Sequence, residues 1–214
     1  MSTTITRDFI RRIPKTDLHL HLDGSLRVPT LIELARAQGV ELPSYEEAGL
    51  RELVFKEQYA DLPDYLRGFA YTCAVLRNPE ALERVAFELA EDNLAEGVRY
   101  IEVRFAPQLH SDHQFSTREV LAAVARGLDR AKRAHNASPA VRRDGDIPFE
   151  YGIIVCALRS FNARMSAYYR RLLDVLRHAP RKEVFAVASL RMARAAGDLR
   201  DREGLPIVGF DLAG

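Results

Sequence analysis

Apolar runs of strand length alternate along this chain with amphipathic stretches of helix length. The strand-like runs fall at residues 15–22, 99–106, 149–158 and 207–212. Each lies too far from the next for a hairpin, which calls for crossover connections and parallel pairing. Between them, residues 29–38 read as a helix stopped by Gly39, and residues 79–96 as a helix stopped by Gly97. The second of these places Leu82, Val85, Ala86, Leu89 and Ala90 at helical spacing. Ser116 and Glu119 form a capping-box pattern ahead of Val120 and Leu121, opening a long helix to about His135. Residues 160–178 and 182–196 read as two further helices, and the polar, turn-rich residues 138–148 as a loop. This alternation, running over residues 1–214, specifies an α/β protein with a parallel sheet.

Two of the strands have an inverted pattern. Residues i and i+2 of a strand share a side, so Asp17, His19, His21 and Asp23 are expected on one face and Leu18, Leu20 and Leu22 on the other. In the second strand Tyr100, Glu102, Arg104 and Ala106 share one parity, and Ile101, Val103 and Phe105 the other. An open doubly wound sheet favours apolar residues on both faces. A closed (β/α) barrel packs its apolar outer face on helices and turns polar inward near the C-terminal mouth, so the inversion favours a barrel.

The His-x-His pair is a metal-site pattern, because a ladder of buried ionisable groups needs a partner and a divalent cation is one. On its own it fits an edge strand with a solvated polar face equally well. The flanking Asp23-Gly24-Ser25 and the leading Pro14-Lys15 favour the metal reading. His110 and His113 read as loop histidines, His135 and His178 as helix-end residues, and Glu102 and Arg104 as interior pairing partners. Cys73 and Cys156 have no C-x-x-C spacing and receive no role. With 31 basic and 30 acidic residues, a formal charge of +1 gives no support to nucleic-acid or membrane-surface binding. No run is apolar enough to span a bilayer, and a cytoplasmic location is the expectation.

The block Pro14-Lys15-Thr16-Asp17-Leu18-His19-Leu20-His21-Leu22-Asp23-Gly24-Ser25-Leu26-Arg27 resembles the first strand of adenosine deaminases, in the amidohydrolase superfamily. Three further segments match in the family's order. Leu62-Pro63-Asp64-Tyr65-Leu66 with Phe69 resembles the helix walling the purine pocket. Glu96-Gly97-Val98 through Ala106-Pro107 resembles the second strand, and Asp211-Leu212-Ala213-Gly214 the end of the fourth.

The resemblance implies the first half, strands one to four, of a metal-dependent (β/α)8 barrel. Its activity would be zinc-dependent hydrolytic deamination of adenosine or 2′-deoxyadenosine, with zinc activating the attacking water. By the same resemblance His19 and His21 match zinc ligands, and His21 and Asp23 contact the nucleoside, Asp23 at the ribose 5′-hydroxyl. Tyr65, Leu66 and Phe69 match the apolar wall, and Gly214 the glycine whose backbone approaches the base. Asp23 stands where adenine and aminodeoxyfutalosine deaminases tend to carry Glu, which tilts the substrate towards a nucleoside. Ala106 stands where the family often has Ser, and residues 159–206 exceed the usual crossover.

Four strands precede Gly214, and no segment resembles the family's later His-Ala-Gly-Glu block or terminal Asp-Asp-Pro. The chain alone is therefore expected to be inactive. Its expected partners are a purine nucleoside, and either a C-terminal half-barrel chain or a second copy joined through open sheet edges. The alternatives are a deaminase of adenine or aminodeoxyfutalosine, and a non-catalytic half-barrel that binds nucleoside or self-associates.

Overall fold

The computed structural model describes residues 5–213. The elements run α1 (Arg7–Arg12), β1 (Lys15–His21), α2 (Val28–Gln38), α3 (Glu47–Leu53), α4 (Leu62–Val75), α5 (Pro79–Ala95), β2 (Val98–Phe105), α6 (Thr117–Asn136), α7 (Pro139–Arg142), β3 (Glu150–Leu158), α8 (Ala167–Val175), α9 (Arg181–Glu203) and β4 (Ile207–Ala213). Among the described residues no helix is long and apolar enough to cross a membrane.

The four strands form one parallel sheet in the order β1-β2-β3-β4. Spatial order equal to chain order is the winding of a (β/α) barrel. A doubly wound sheet would reverse direction partway. Helices α5, α6 and α9 pack on one side of the sheet. Ile101, Val103, Phe105, Ile153 and Val155 are buried there with Leu82, Val85, Leu121, Val124 and Leu128. Gly127 sets how closely α5 and α6 approach, since a Cβ on it would lie 2.2 Å from the Glu83 carbonyl oxygen. Both halves of the expected capping box of α6 are present: Ser116 N–H donates to Glu119 Oε2 at 2.8 Å, and Glu119 N–H to Ser116 Oγ at 3.3 Å.

Three expectations need correction. Asp17 and Leu18 do not continue the alternation of β1. The register slips between Asp17 and Leu20, where three steps on β1 oppose two on β2: Asp17 lies beside Ile101, but Leu20 lies beside Val103. The extra residue is a bulge, secured by His19 N–H donating to Asp17 Oδ1 at 3.1 Å. Below it the parity reverses, and Leu18 is left 54% exposed instead of packed under a helix. Residues 138–148 contain the short α7, started by Ser138 accepting from Val141 N–H. The long crossover from β3 to β4 holds two helices, but α8 is shorter than residues 160–178 and α9 runs past residue 196 to Glu203. This crossover adds a second apolar cluster around Phe161, Tyr169, Val184 and Ala188.

Candidate functional site

Beyond the bulge the expected inner face holds. His19 and His21 project from the end of β1 to the same side, with their Nε2 atoms 3.3 Å apart. A tetrahedral cation held at about 2.0–2.1 Å by two imidazoles sets its donors about 3.3 Å apart, so the pair has the right span for zinc. Arg104, beside His21 on β2, places Nη1 3.0 Å from His19 Nδ1 and pairs with Asp211 of β4. A guanidinium only donates. His19 therefore carries its proton on Nε2 and offers it to His21 Nε2. A metal held at both Nε2 atoms would take the place of that proton, and Arg104 would then release His19 Nδ1 while keeping Asp211. Burial, then the charges of Arg104 and His19, lower the pKa of His21 and favour the neutral ring that ligation requires. Glu102 accepts from Tyr100 Oη at 3.0 Å and forms no pair with Arg104.

The chain turns sharply after β1, with Ser25 Oγ donating to the His21 carbonyl at 2.5 Å. The turn sends Asp23 inward to 5% exposure, with Oδ1 buried and unpartnered. Its Oδ1 lies 3.9 Å from His21 Nδ1, close enough for attraction but too long for a hydrogen bond. Burial raises the Asp23 pKa to about 6, opposed by its own backbone N–H. A carboxylate oxygen held this way accepts readily from an incoming hydroxyl.

α4 supplies the wall over this corner. Asp61 caps its start by accepting from Asp64 N–H at 2.8 Å. Tyr65 and Phe69, one turn apart, meet edge to face at 5.7 Å between centroids. Phe69 also lies against Gly24, where a Cβ would come within 3.2 Å of its ring. Tyr65, Leu66 and Phe69 join His21, Asp23 and Ala106 around a cavity of about 370 Å³, the size of a small-ligand site. Gly214 lies outside the described residues; its neighbour Ala213 lines the cavity.

His110 departs from its expectation as a loop histidine. It follows a short 3₁₀ turn at Pro107–Leu109 and is buried, with both ring nitrogens unpartnered. Burial lowers its pKa to about 4. Cys73, on α4, places Sγ 4.0 Å from Asp23 Oδ2. Spacing could have found Cys73, which stands one turn beyond Phe69 and two beyond Tyr65 on the same helix face. The sequence carries no comparable signal for His110. His113 and His178 are exposed, and His135 Nε2 contacts the Ile147 carbonyl at 3.1 Å.

The adenosine deaminase family model matches residues 14–214. A curated adenosine deaminase from Mycolicibacterium vanbaalenii is 38% identical over 216 aligned residues, covering 100% of this chain and 50% of that protein. A probable adenosine deaminase from Dictyostelium discoideum is 42% identical over 76% of this chain and 20% of its own length. The chain thus spans half or less of these curated relatives. Among solved structures, the Arabidopsis N6-mAMP deaminase matches with a TM-score of 0.65 at 23% identity, covering 97% of this chain and 52% of its own. An amidohydrolase from Burkholderia with bound Zn matches with a TM-score of 0.58 at 22% identity, over 91% of this chain and 54% of its own. These structures share the fold of four parallel strands and their helices, and the family model spans nearly the whole chain: the chain belongs to the adenosine deaminase family.

Proposed function

We propose that this chain supplies the zinc-binding and nucleoside-contacting half of a barrel that hydrolytically deaminates adenosine or 2′-deoxyadenosine. The observation that carries the reading is the convergence of His19 and His21 Nε2, 3.3 Å apart, beside a cavity that also receives Asp23 and the α4 wall. His19 and His21 would hold the zinc, which when bound activates water as a Lewis acid. Tyr65, Leu66 and Phe69 cover the purine face, and Asp23 accepts from the ribose 5′-hydroxyl. Further metal donors and a proton donor for the ring come from a C-terminal half-barrel, which also covers the outer edges of β1 and β4. The two free cysteines, Cys73 and Cys156, support a reducing compartment, the cytoplasm.

The test is ammonia release from adenosine, AMP and adenine by the 214-residue chain, alone and joined to the C-terminal half of the Mycolicibacterium vanbaalenii relative. The chain alone should stay at background. The joined protein should act on adenosine in preference to AMP and adenine, because Asp23 repels a phosphate and is left unpaired by a free base. Asp23→Ala should narrow the gap to AMP. Turnover of about 1 per second or more by the chain alone contradicts the shared site. A joined enzyme preferring AMP or adenine contradicts the nucleoside assignment.

A further inference from the structure

A second corner of the same end of the sheet gathers donors that the purine reading does not use together. Asp23 from the turn after β1, Cys73 from α4 and His110 from the segment after β2 bring one donor atom each within 4.8 Å of the others. Two of the three are almost fully enclosed, Asp23 at 5% and His110 at 4% exposure. Both His110 nitrogens lack a partner in hydrogen-bond geometry, although the Leu76 backbone lies beside the ring, and Asp23 Oδ1 is unpartnered as well. Buried polar groups are nearly always satisfied, so an enclosed imidazole of this kind beside a carboxylate and a thiol calls for a missing partner. Water or a cation could meet that need. The thiol argues for the cation, since a carboxylate, a thiolate and an imidazole are the donor set of a borderline-soft metal.

We propose that Asp23, Cys73 and His110 form a second divalent-cation site, for Zn²⁺ or Co²⁺ and not for Mg²⁺ or Ca²⁺, which take oxygen donors. The charges balance. Cys73 gives up its proton to solvent as the sulfur–metal bond forms, and thiolate and carboxylate together neutralise the dication. The ion and its three donors then carry no net charge among themselves, which reduces the cost of enclosing the ion. Donors within 4.8 Å of one another need only close by about 1 Å to reach the edges of a tetrahedron with bonds of about 2.0–2.3 Å. An adjoining cavity, bordered by Asp23, Phe69, Cys73, Arg77 and Leu109, gives a route in. The site adjoins the His19/His21 pair, but only this one contains sulfur. The inference does not depend on the purine reading of the neighbouring cavity.

The experiment is anaerobic titration of the reduced 214-residue chain with Co²⁺, following the thiolate-to-cobalt charge-transfer absorption that a purely imidazole site does not give. In His19→Ala, where the neighbouring imidazole pair is broken, the band should saturate at one equivalent per chain. It should survive in His19→Ala and Cys156→Ser, vanish in Cys73→Ser, and require about tenfold or more Co²⁺ in His110→Gln. Zn²⁺ should protect Cys73, and not Cys156, from alkylation in the unmodified chain, a readout that needs no variant to fold. Absence of both the band and the protection overturns the site. So does a band that disappears with Cys156→Ser, or one unaffected by His110→Gln in a chain with unchanged far-ultraviolet ellipticity.

Discussion

The two faces of the sheet are finished to different degrees. On the helix side, Ile101, Val103 and Phe105 of β2 and Ile153 and Val155 of β3 are closed over by α5, α6 and α9. On the inner side, His19 and His21 are exposed, and Val208 of β4, which lies over Gly152, is about half exposed. One face holds itself together by burial within the chain. The other is an arrangement of polar groups around Arg104 that presents donors to something else. Stability and chemistry therefore sit on opposite sides of the same four strands, and substitutions should separate them.

The largest separation is in stability. Leu121→Ala, at a fully buried position on α6, should cost about 2–5 kcal/mol. Val208→Ala, at an exposed position on the inner side of β4, should change stability by no more than about 0.5 kcal/mol. Urea unfolding of both variants checks this. Comparable losses would mean that the inner side is as well packed as the outer.

The boundary between the faces should show in pH. His110 stays neutral in the folded chain down to about pH 4, whereas an unperturbed imidazole protonates near 6.5. Between those values the unfolded state binds more protons, so stability from this group is full above 6.5 and is lost as pH falls towards 4. Asp23 acts oppositely. Its folded pKa is about 6 against an ordinary 3.8, so the folded state binds more protons in that window and gains stability as pH falls. The two trends offset each other in the unmodified chain. Asp23→Asn should leave the acid loss due to His110, and His110→Gln should leave the opposing slope. Urea midpoints between pH 4 and 6.5 measure both, and equal slopes in all three proteins would contradict the burial of this corner.

A smaller effect belongs to Arg104. It donates to His19 Nδ1 and so holds the His19 proton on the nitrogen that faces His21. Arg104→Gln removes a positive charge from the site, frees Asp211, and offers an amide oxygen to a proton on Nδ1. Zinc affinity should rise by about tenfold, about 1.4 kcal/mol, as read by competition with a chelator. A weaker affinity would show that Arg104 supports metal binding in its present position.

Much of the architecture is legible in the chain because each strand is a short apolar run bounded by Gly or Pro. Gly97 ahead of β2 and Pro206 ahead of β4 mark the starts to within a residue or so. The capping box of α6 is legible because both of its bonds lie within four consecutive residues. The β1 bulge is not, because it depends on how β1 pairs with β2, and pairing is non-local. The His-x-His pair stands out by its spacing, but its flanking residues and the family resemblance are what turn it into a metal reading, and the α4 wall is legible only through that resemblance. The buried Asp23–Cys73–His110 corner escapes because its members lie on three elements and meet only in the folded chain.

The central claim is that β1 presents a paired imidazole site to zinc. X-ray absorption at the zinc edge of the Cys73→Ser chain, loaded with one equivalent of zinc, tests it without sulfur from the neighbouring corner. The account predicts two imidazole nitrogens at about 2.0–2.1 Å, with both signals and metal retention after dialysis lost in His19→Ala and His21→Ala. Zinc held without imidazole scattering, or retained equally when both histidines are replaced, would contradict it.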